Sequence, residues 1–471
     1  MPTDGSRETT TSSAPTRREF LGYTGAGLAG LAAIGGTLHA LGVTDTADHL
    51  STVDEHAAYQ YFHTPWTEIE DDLERVAEAG IQTIWVPQPA ESKLRWEDQA
   101  TADQEGFYED EHPHYGHLEP HPPLGYQPID LRNFDSEYGT RAELESMIET
   151  AHDHDIAVVL DTVLNHMANS PGPEGPVDWP QFDEGEHFHD YGTLGGDCQL
   201  EGERAEYECE LLGLPTLDLE HPDVQRAHRA YLETMADVGA DGLRYDAAGH
   251  VWPWYFRDEI NPLADDLGLW RVGEVWDEHD VDRLLEFADT GMTVFDFPLY
   301  DAIVAAFEGG RLDRLAQTNA PGVVHHRPEV AVTFAQNHDT TGPGVGPDDP
   351  EGIEIDLAHA YLLSYEGMPM LFRADLDDPA LQDLIRVKNE LAEGEPIDRH
   401  VDSDLYVFER ESNLLAGINN GNEPLETTVD TTWSDVTLTD HTDHGDDIGV
   451  ADDGTVTLEV PAEGWVMYAP A

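Results

Sequence analysis

Lysine is almost missing from this chain. Lys93 and Lys388 are the only two in 471 residues, and every other basic side chain is arginine. Basic residues number 23 against 97 acidic ones, for a formal net charge of −74. Phosphate backbones are bound by clustered lysine and arginine, so this composition argues against a nucleic-acid partner. The acidity is not packed into a low-complexity tail but spread along the chain. Such a charge repels itself in dilute buffer and is screened at high salt, where the Debye length falls to about 3 Å at 1 M. Adaptation to molar salt, as in salt-accumulating archaea, explains this even spread better than a cationic partner does.

Cysteine is nearly absent too. Cys198 and Cys209 lie close together in one loop-rich stretch, and a reducing compartment would leave both as thiols. Long apolar runs are also lacking. The nearest is Gly22–Ala40, broken by Gly25, Gly27, Gly30, Gly35 and Gly36 and too weakly hydrophobic to read as a membrane span, although long enough for an uncleaved anchor. It follows Thr16-Arg17-Arg18-Glu19-Phe20-Leu21. Paired arginine before a mild apolar run is the twin-arginine export pattern. Residues 1–40 are therefore read as an export segment and 41–58 as a linker. The protein is expected to be secreted, or membrane-held if that segment is retained.

From Tyr59 the chain alternates strand and helix patterns. Short apolar runs at Tyr59–Phe62, Ile81–Val86, Ile156–Asp161, Ala240–Asp246, Leu269–Glu274, Met292–Phe295, Val330–Phe334 and Pro369–Phe372 read as strands. Amphipathic segments follow them, including 68–79, 141–154, 222–238, 254–267, 278–288, 299–308, 355–365 and 379–392. Eight such units predict a closed (β/α)8 TIM barrel with its chemistry on the loops after the strands. The two longest loops follow strands 2 and 3, and long loops within a compact domain are usually functional. From about Pro396 the pattern changes to short strands separated by turn residues, which reads as an antiparallel β-domain. The barrel is assigned to 59–166 and 218–395, an inserted B domain to 167–217, and the β-domain to 396–471.

The most informative stretch is Gly242–His250. Asp246 falls at the end of strand 4, with Arg244 two residues earlier on the same side. An adjacent guanidinium favours an ionised carboxylate, which suits a nucleophile. Alone, such a pair is as readily structural. Polar clusters also end three other strands: Asp161–His166 after strand 3, Gly273–Trp276 after strand 5, and Phe334–Asp339 after strand 7. Carboxylates at the ends of strands 4, 5 and 7 converge on one cavity, and that suits glycoside cleavage by paired carboxyl groups.

With these four motifs in order, the chain resembles the alpha-amylase family, glycoside hydrolase family 13, from Tyr59 to about Tyr468. Gln60-Tyr61-Phe62, Gly125–Asp130 and Leu214–Val224 add to the likeness. The short segment after strand 8 resembles liquefying-type and archaeal members. The resemblance implies retaining, endo-acting hydrolysis of internal α-1,4 bonds in starch-like α-glucans. Alternatives are a maltooligosaccharide-forming enzyme, an α-glucosidase or a glucanotransferase, and a non-catalytic glucan-binding or transporter-associated barrel. It implies Asp246 as nucleophile, Glu274 as acid and base, and Asp339 on the sugar hydroxyls. Arg244 would align Asp246; His166, His250 and His338 would bind hydroxyls, and Tyr126 would stack on the sugar. It also implies Ca2+ between B domain and barrel, held by Asn165, the His250 carbonyl and a carboxylate. The carboxylate position falls on Thr216, so Asp218 is expected to substitute. A basic residue common in the family before His250 is replaced by Gly249. A B-domain disulfide in some members, together with export, implies a Cys198–Cys209 bond.

Overall fold

A computed structural model describes residues 56–95, 125–170, 176–340 and 353–470. The export segment, most of the linker, and parts of the loops after strands 2, 3 and 7 lie outside the described residues.

Eight strands close a parallel barrel: β1 (Ala58–Gln60), β2 (Thr83–Val86), β3 (Ala157–Val163), β4 (Gly242–Asp246), β5 (Trp270–Gly273), β6 (Thr293–Phe295), β7 (Ala331–Thr333) and β8 (Met368–Phe372). They pair in chain order, and β1 pairs with β8 to close the ring. Every residue of β3 is buried. Helices on the outside and side chains within cover both faces of a parallel sheet, which is why its strands read as continuous apolar runs. Trp85, Val159, Val272, Phe295, Val332 and Met370 fill the barrel interior.

Helices α1 (Trp66–Glu78), α2 (Arg141–Asp153), α3 (Pro222–Asp237), α4 (Asn261–Leu267), α5 (Val281–Ala288), α6 (Phe297–Phe307), α7 (Ile353–Leu362) and α8 (Pro379–Glu390) accompany the strands. In α1, Trp66, Ile69, Leu73 and Val76 are buried at helical spacing. Helix α2 starts with a reciprocal cap: Thr140 accepts the Glu143 N–H while the Glu143 carboxylate accepts the Thr140 N–H at 2.7 Å.

Two stretches differ from the sequence expectation. The helix expected over 254–267 is broken into a turn at Pro253–Tyr255, a wide π-turn at Phe256–Ile260, and α4. Pro262 is the physical reason, because it has no N–H to donate and its ring crowds the carbonyl four residues back. In the terminal domain an unforeseen strand, Pro396–Val401, pairs antiparallel with Leu405–Arg410. Its charged residues hid a half-buried edge. It joins a six-stranded sheet backed by a two-stranded ribbon of Leu425–Asp430 and Thr455–Val460. Phe408 of this domain packs edge-on against Tyr361 and Tyr365, joining it to the barrel core.

The excursion after β3 leaves and returns at one point. His166 bridges to Thr216, and the Leu217 N–H donates to the Asn165 carbonyl at 3.0 Å. Within it Cys198 and Cys209 are bonded, bracketing a short helix at Glu203–Glu208.

Both lysines are internal. Lys388 is 2% exposed and its ammonium donates to the carbonyls of Tyr365 and Gly367, at 2.9 Å each. Lys93 is buried and donates to Asn169. Most surface arginines are held in ion pairs, as where Arg141 meets Glu145 at 2.7 Å and Asp237 at 2.6 Å. With 97 acids to 23 bases, most surface carboxylates have only dissolved cations to screen them. We therefore predict that far-UV circular dichroism is native-like in molar salt and collapses on dilution to millimolar salt. An unchanged spectrum would contradict this reading of the charge.

Candidate active site

Strand β4 builds the centre. Leu243 and Tyr245 face the helices, so Arg244 and Asp246 face inward. Arg244 is 1% exposed. Its Nη1 donates to Asp246 at 2.7 Å and to both oxygens of Asp161 at 3.0 and 3.1 Å. Its Nη2 meets Glu274 at 2.7 Å. One guanidinium thus holds carboxylates from β3, β4 and the end of β5. The Trp85 ring lies under it at 4.8 Å.

The backbone serves the same point. Ala247, directly after Asp246, sits at φ 44° in the left-handed region, which a residue with a Cβ enters only when its surroundings require it. The Ala247 N–H donates to the second oxygen of Glu274, at 2.8 Å. At Gly273, just before Glu274, a Cβ would stand 2.5 Å from the Met292 sulfur, so a larger residue there would require that side chain to move.

Asp161 was not singled out as a site residue from the sequence, yet it is fully buried beside Arg244. It accepts from Tyr126 at 2.9 Å and Trp85 at 3.2 Å as well as from Arg244. Its strand partner in register is Arg244 itself. Its place opening the strand 3 motif was the available signal. Gln60, in the Gln60-Tyr61-Phe62 segment of strand 1, also reaches the site. It donates to His338 Nδ1 at 2.8 Å, which leaves the hydrogen on Nε2 facing Asp339 at 3.1 Å.

The remaining expected residues fall in two groups. Tyr126 and His338 are at the centre, their rings stacked at 5.3 Å. His166 is beside them, but its Nε2 is spent on the Tyr126 carbonyl at 2.9 Å and its Nδ1 faces the Asn165 amide at 3.4 Å. In this structure it positions Tyr126 rather than offering a free nitrogen. His250 lies to one side, with Nδ1 on the Glu206 carbonyl at 3.1 Å. Arg283 ties the same corner together, meeting Glu206 at 2.6 Å and the Gly249 carbonyl at 2.9 Å. It fills space that a longer residue at 249 would reach.

Burial governs the protonation of this cluster. It pushes the carboxyls of Asp161 and Asp246 up, while Arg244 pulls both back. The simple Arg–Asp pair expected from the sequence is therefore one edge of a larger assembly in which burial is the stronger influence. Asp339 is pushed up to about 8, first by burial and then by the nearby Glu274. Since 36% of its side chain is open, solvent tempers that rise. Burial lowers His166 to about 4, so its ring is neutral at neutral pH.

The expected calcium donors are short of carboxylates. Asn165 is buried, and Thr216 donates its hydroxyl to the Cys209 carbonyl at 3.1 Å. Asp218 accepts the Glu220 N–H at 3.0 Å and is the single carboxylate among the expected ligands. Calcium takes about six to eight oxygens and favours several carboxylates. These residues do not make a full calcium shell, and no step below depends on one. Among the described residues, His187, His221 and Asp223 form the one grouping with metal-ligand proximity. Nδ1 of His187 accepts the Asp183 N–H at 2.8 Å, and Nδ1 of His221 accepts the Asp223 N–H at 3.2 Å. In neutral rings this leaves hydrogen on both Nε2 atoms, which then have no lone pair for an ion and point at Asp223 and Glu186, 3.6 and 3.9 Å away.

Comparison with known proteins follows the same line. The sequence profile described as "Alpha amylase, catalytic domain" matches residues 66–181. An alpha-amylase of Bacillus licheniformis is 27% identical over 372 residues, covering 66% of this chain and 67% of its own. A cyclomaltodextrin glucanotransferase of Thermoanaerobacterium thermosulfurigenes is 23% identical, covering 84% of this chain and 61% of its own. In fold, the chain is similar to an alpha-amylase of Geobacillus thermoleovorans solved with acarbose, at a TM-score of 0.68, 19% identity, and coverage of 88% and 98%. Profile and relatives agree on a glycoside hydrolase of alpha-amylase type, and the fold is similar to that of a solved alpha-amylase.

Proposed function

We propose that this enzyme hydrolyses internal α-1,4-glucosidic bonds of starch-like α-glucans with retention of configuration. The observation that carries the reading is the Arg244 fork, with Asp246 on Nη1 and Glu274 on Nη2. Two carboxyls held to one guanidinium fit the close pair, about 5–5.5 Å apart, that retention requires.

Asp246 attacks the anomeric carbon as the bond to the leaving oxygen breaks and Glu274 delivers its proton there. Glu274 then takes a proton from water, whose oxygen bonds to the anomeric carbon as the ester to Asp246 breaks. Three carboxyls on one guanidinium, with Asp339 close by, cannot all be ionised in a buried site, because like charges so close raise one another's affinity for protons. Asp161 accepts from four donor contacts and is best suited to stay ionised. Asp339 has no guanidinium contact, and a proton held between it and Glu274 leaves Asp246 free as nucleophile. Tyr126 and His338 form a wall beside Asp339, which would hold the sugar hydroxyls.

Glucanotransferase activity is the second reading, motivated by the relative of that class. Endo-cleavage predicts that iodine colour with soluble starch is lost well ahead of reducing-sugar release, in molar salt. Parallel loss would favour exo-action, and cyclic or lengthened products would favour transfer. Export of the folded enzyme into a salty exterior, through the paired arginines at 17 and 18, belongs to the same proposal. A protein that stays in the cell with residues 1–40 intact would contradict it.

Asp246→Asn should lower turnover at least about a thousandfold with its circular dichroism unchanged. Near-normal turnover would overturn the assignment. Asp339 gives a pH test. Its folded value of about 8 is above its ordinary 3.8, so the folded state holds the proton more tightly. Its contribution is full below about pH 4 and is lost as pH rises through about 8. The thermal midpoint at constant molar salt should fall over that window, and Asp339→Asn should flatten the fall. An identical slope in wild type and variant would refute this proton placement.

A further inference from the structure

A cleft of about 520 Å3 opens between the excursion after β3, its return past Asp218, and the loop after β4. Asp246, Glu274, Asp339, Tyr126 and His338 are not among its lining residues. Its walls combine the rings of Tyr191, Trp252 and Trp254 with Arg204, Glu208 and Asp218.

Each ring is braced. Tyr191 stacks on His189 at 5.6 Å, and the Arg204 guanidinium sits over it at 5.7 Å. Arg204 in turn forks onto Glu208, at 3.0 and 2.6 Å. Trp252 packs tilted against Tyr207 at 4.3 Å, and Trp254 lies edge-on to Tyr255 at 5.5 Å. All three rings are half-buried, with part of their surface still open.

We propose that this cleft is a second, non-catalytic binding site for α-glucan chains. The proposal rests on the glucan reading above. A glucose unit offers apolar C–H faces and a rim of hydroxyls. Aromatic rings take the faces, while carboxylates and a guanidinium take the rim. The volume is that of an ordinary small-molecule site. With Glu208, Asp218 and Glu220 set against Arg204, the lining is net acidic, which turns away anions but not a neutral sugar. Apolar stacking is also not screened by molar salt, unlike charge attraction. Such a site would hold the polymer while a neighbouring segment is cut. The Cys198–Cys209 bond brackets Arg204 and Glu208 and so fixes one wall.

The test measures adsorption of Asp246→Asn protein to starch granules in molar salt, alone and combined with Trp254→Ala or Arg204→Ala. Arg204 is at the surface, so its removal does not threaten the fold. Each added change should weaken adsorption about two- to tenfold. In the active chain the same changes should lower the rate on granules and leave kcat/KM on a short chromogenic maltooligosaccharide unaltered. Undiminished adsorption in both variants would overturn the proposal. So would a matching fall in kcat/KM on the short substrate, which would make the cleft part of the catalytic groove. An active chain that leaves soluble starch uncut would sink the functional reading instead, while adsorption by the variants would still report on the cleft.

Discussion

The site depends on one buried cation. Arg244 is withdrawn from water at the centre of the barrel, and that desolvation is tolerable only because carboxylates surround it. The dependence runs both ways. Without the guanidinium, Asp161, Asp246 and Glu274 would crowd together with no opposing charge, and burial would force protons onto the two aspartates. A nucleophile and an acid have opposite needs, one ionised and one protonated. A single cation among several acids can meet both, because the cluster must hold fewer charges than it has carboxyls.

This constraint reaches through the fold. Barrel closure brings β3, β4 and β5 side by side so that their inward positions meet at one fork. Gly273 and the left-handed Ala247 then fine-tune Glu274. A second tier, from Gln60 through His338 to Asp339, approaches from β1 and the loop after β7. The disulfide-closed excursion enters from the side through Glu206, His250 and Arg283. Each contact is local, but the elements carrying them are far apart in sequence, and only the closed barrel puts them together.

Much of this was legible beforehand. Strands announce themselves as short apolar runs ended by glycine, proline or a charge, and three motif carboxylates at strand ends point to one rim. The misses have definite causes. Asp161 matters because it is in register with Arg244, and register comes from the stagger of the closed barrel rather than from either strand. Pro262 lies inside an apolar pattern that reads as one regular helix, whereas its missing N–H opens a π-turn. Pro396–Val401 carries Asp398, Arg399 and His400, and only pairing with Leu405–Arg410 shows it to be a strand.

The near absence of lysine takes on a structural meaning in this light. The two that remain are interior, each holding backbone or side-chain acceptors, and the surface is left to acids and paired arginines. On this account net charge tunes the medium in which the protein is stable, and the central fork, shielded from that medium, carries the proposed chemistry. The claim resting most directly on the fork is retention, and proton NMR of the first product released from a maltooligosaccharide in molar salt tests it. The account predicts that the new reducing end appears as the α-anomer before mutarotation. A β-anomer appearing first would mean that water attacks directly, and would contradict a covalent role for Asp246.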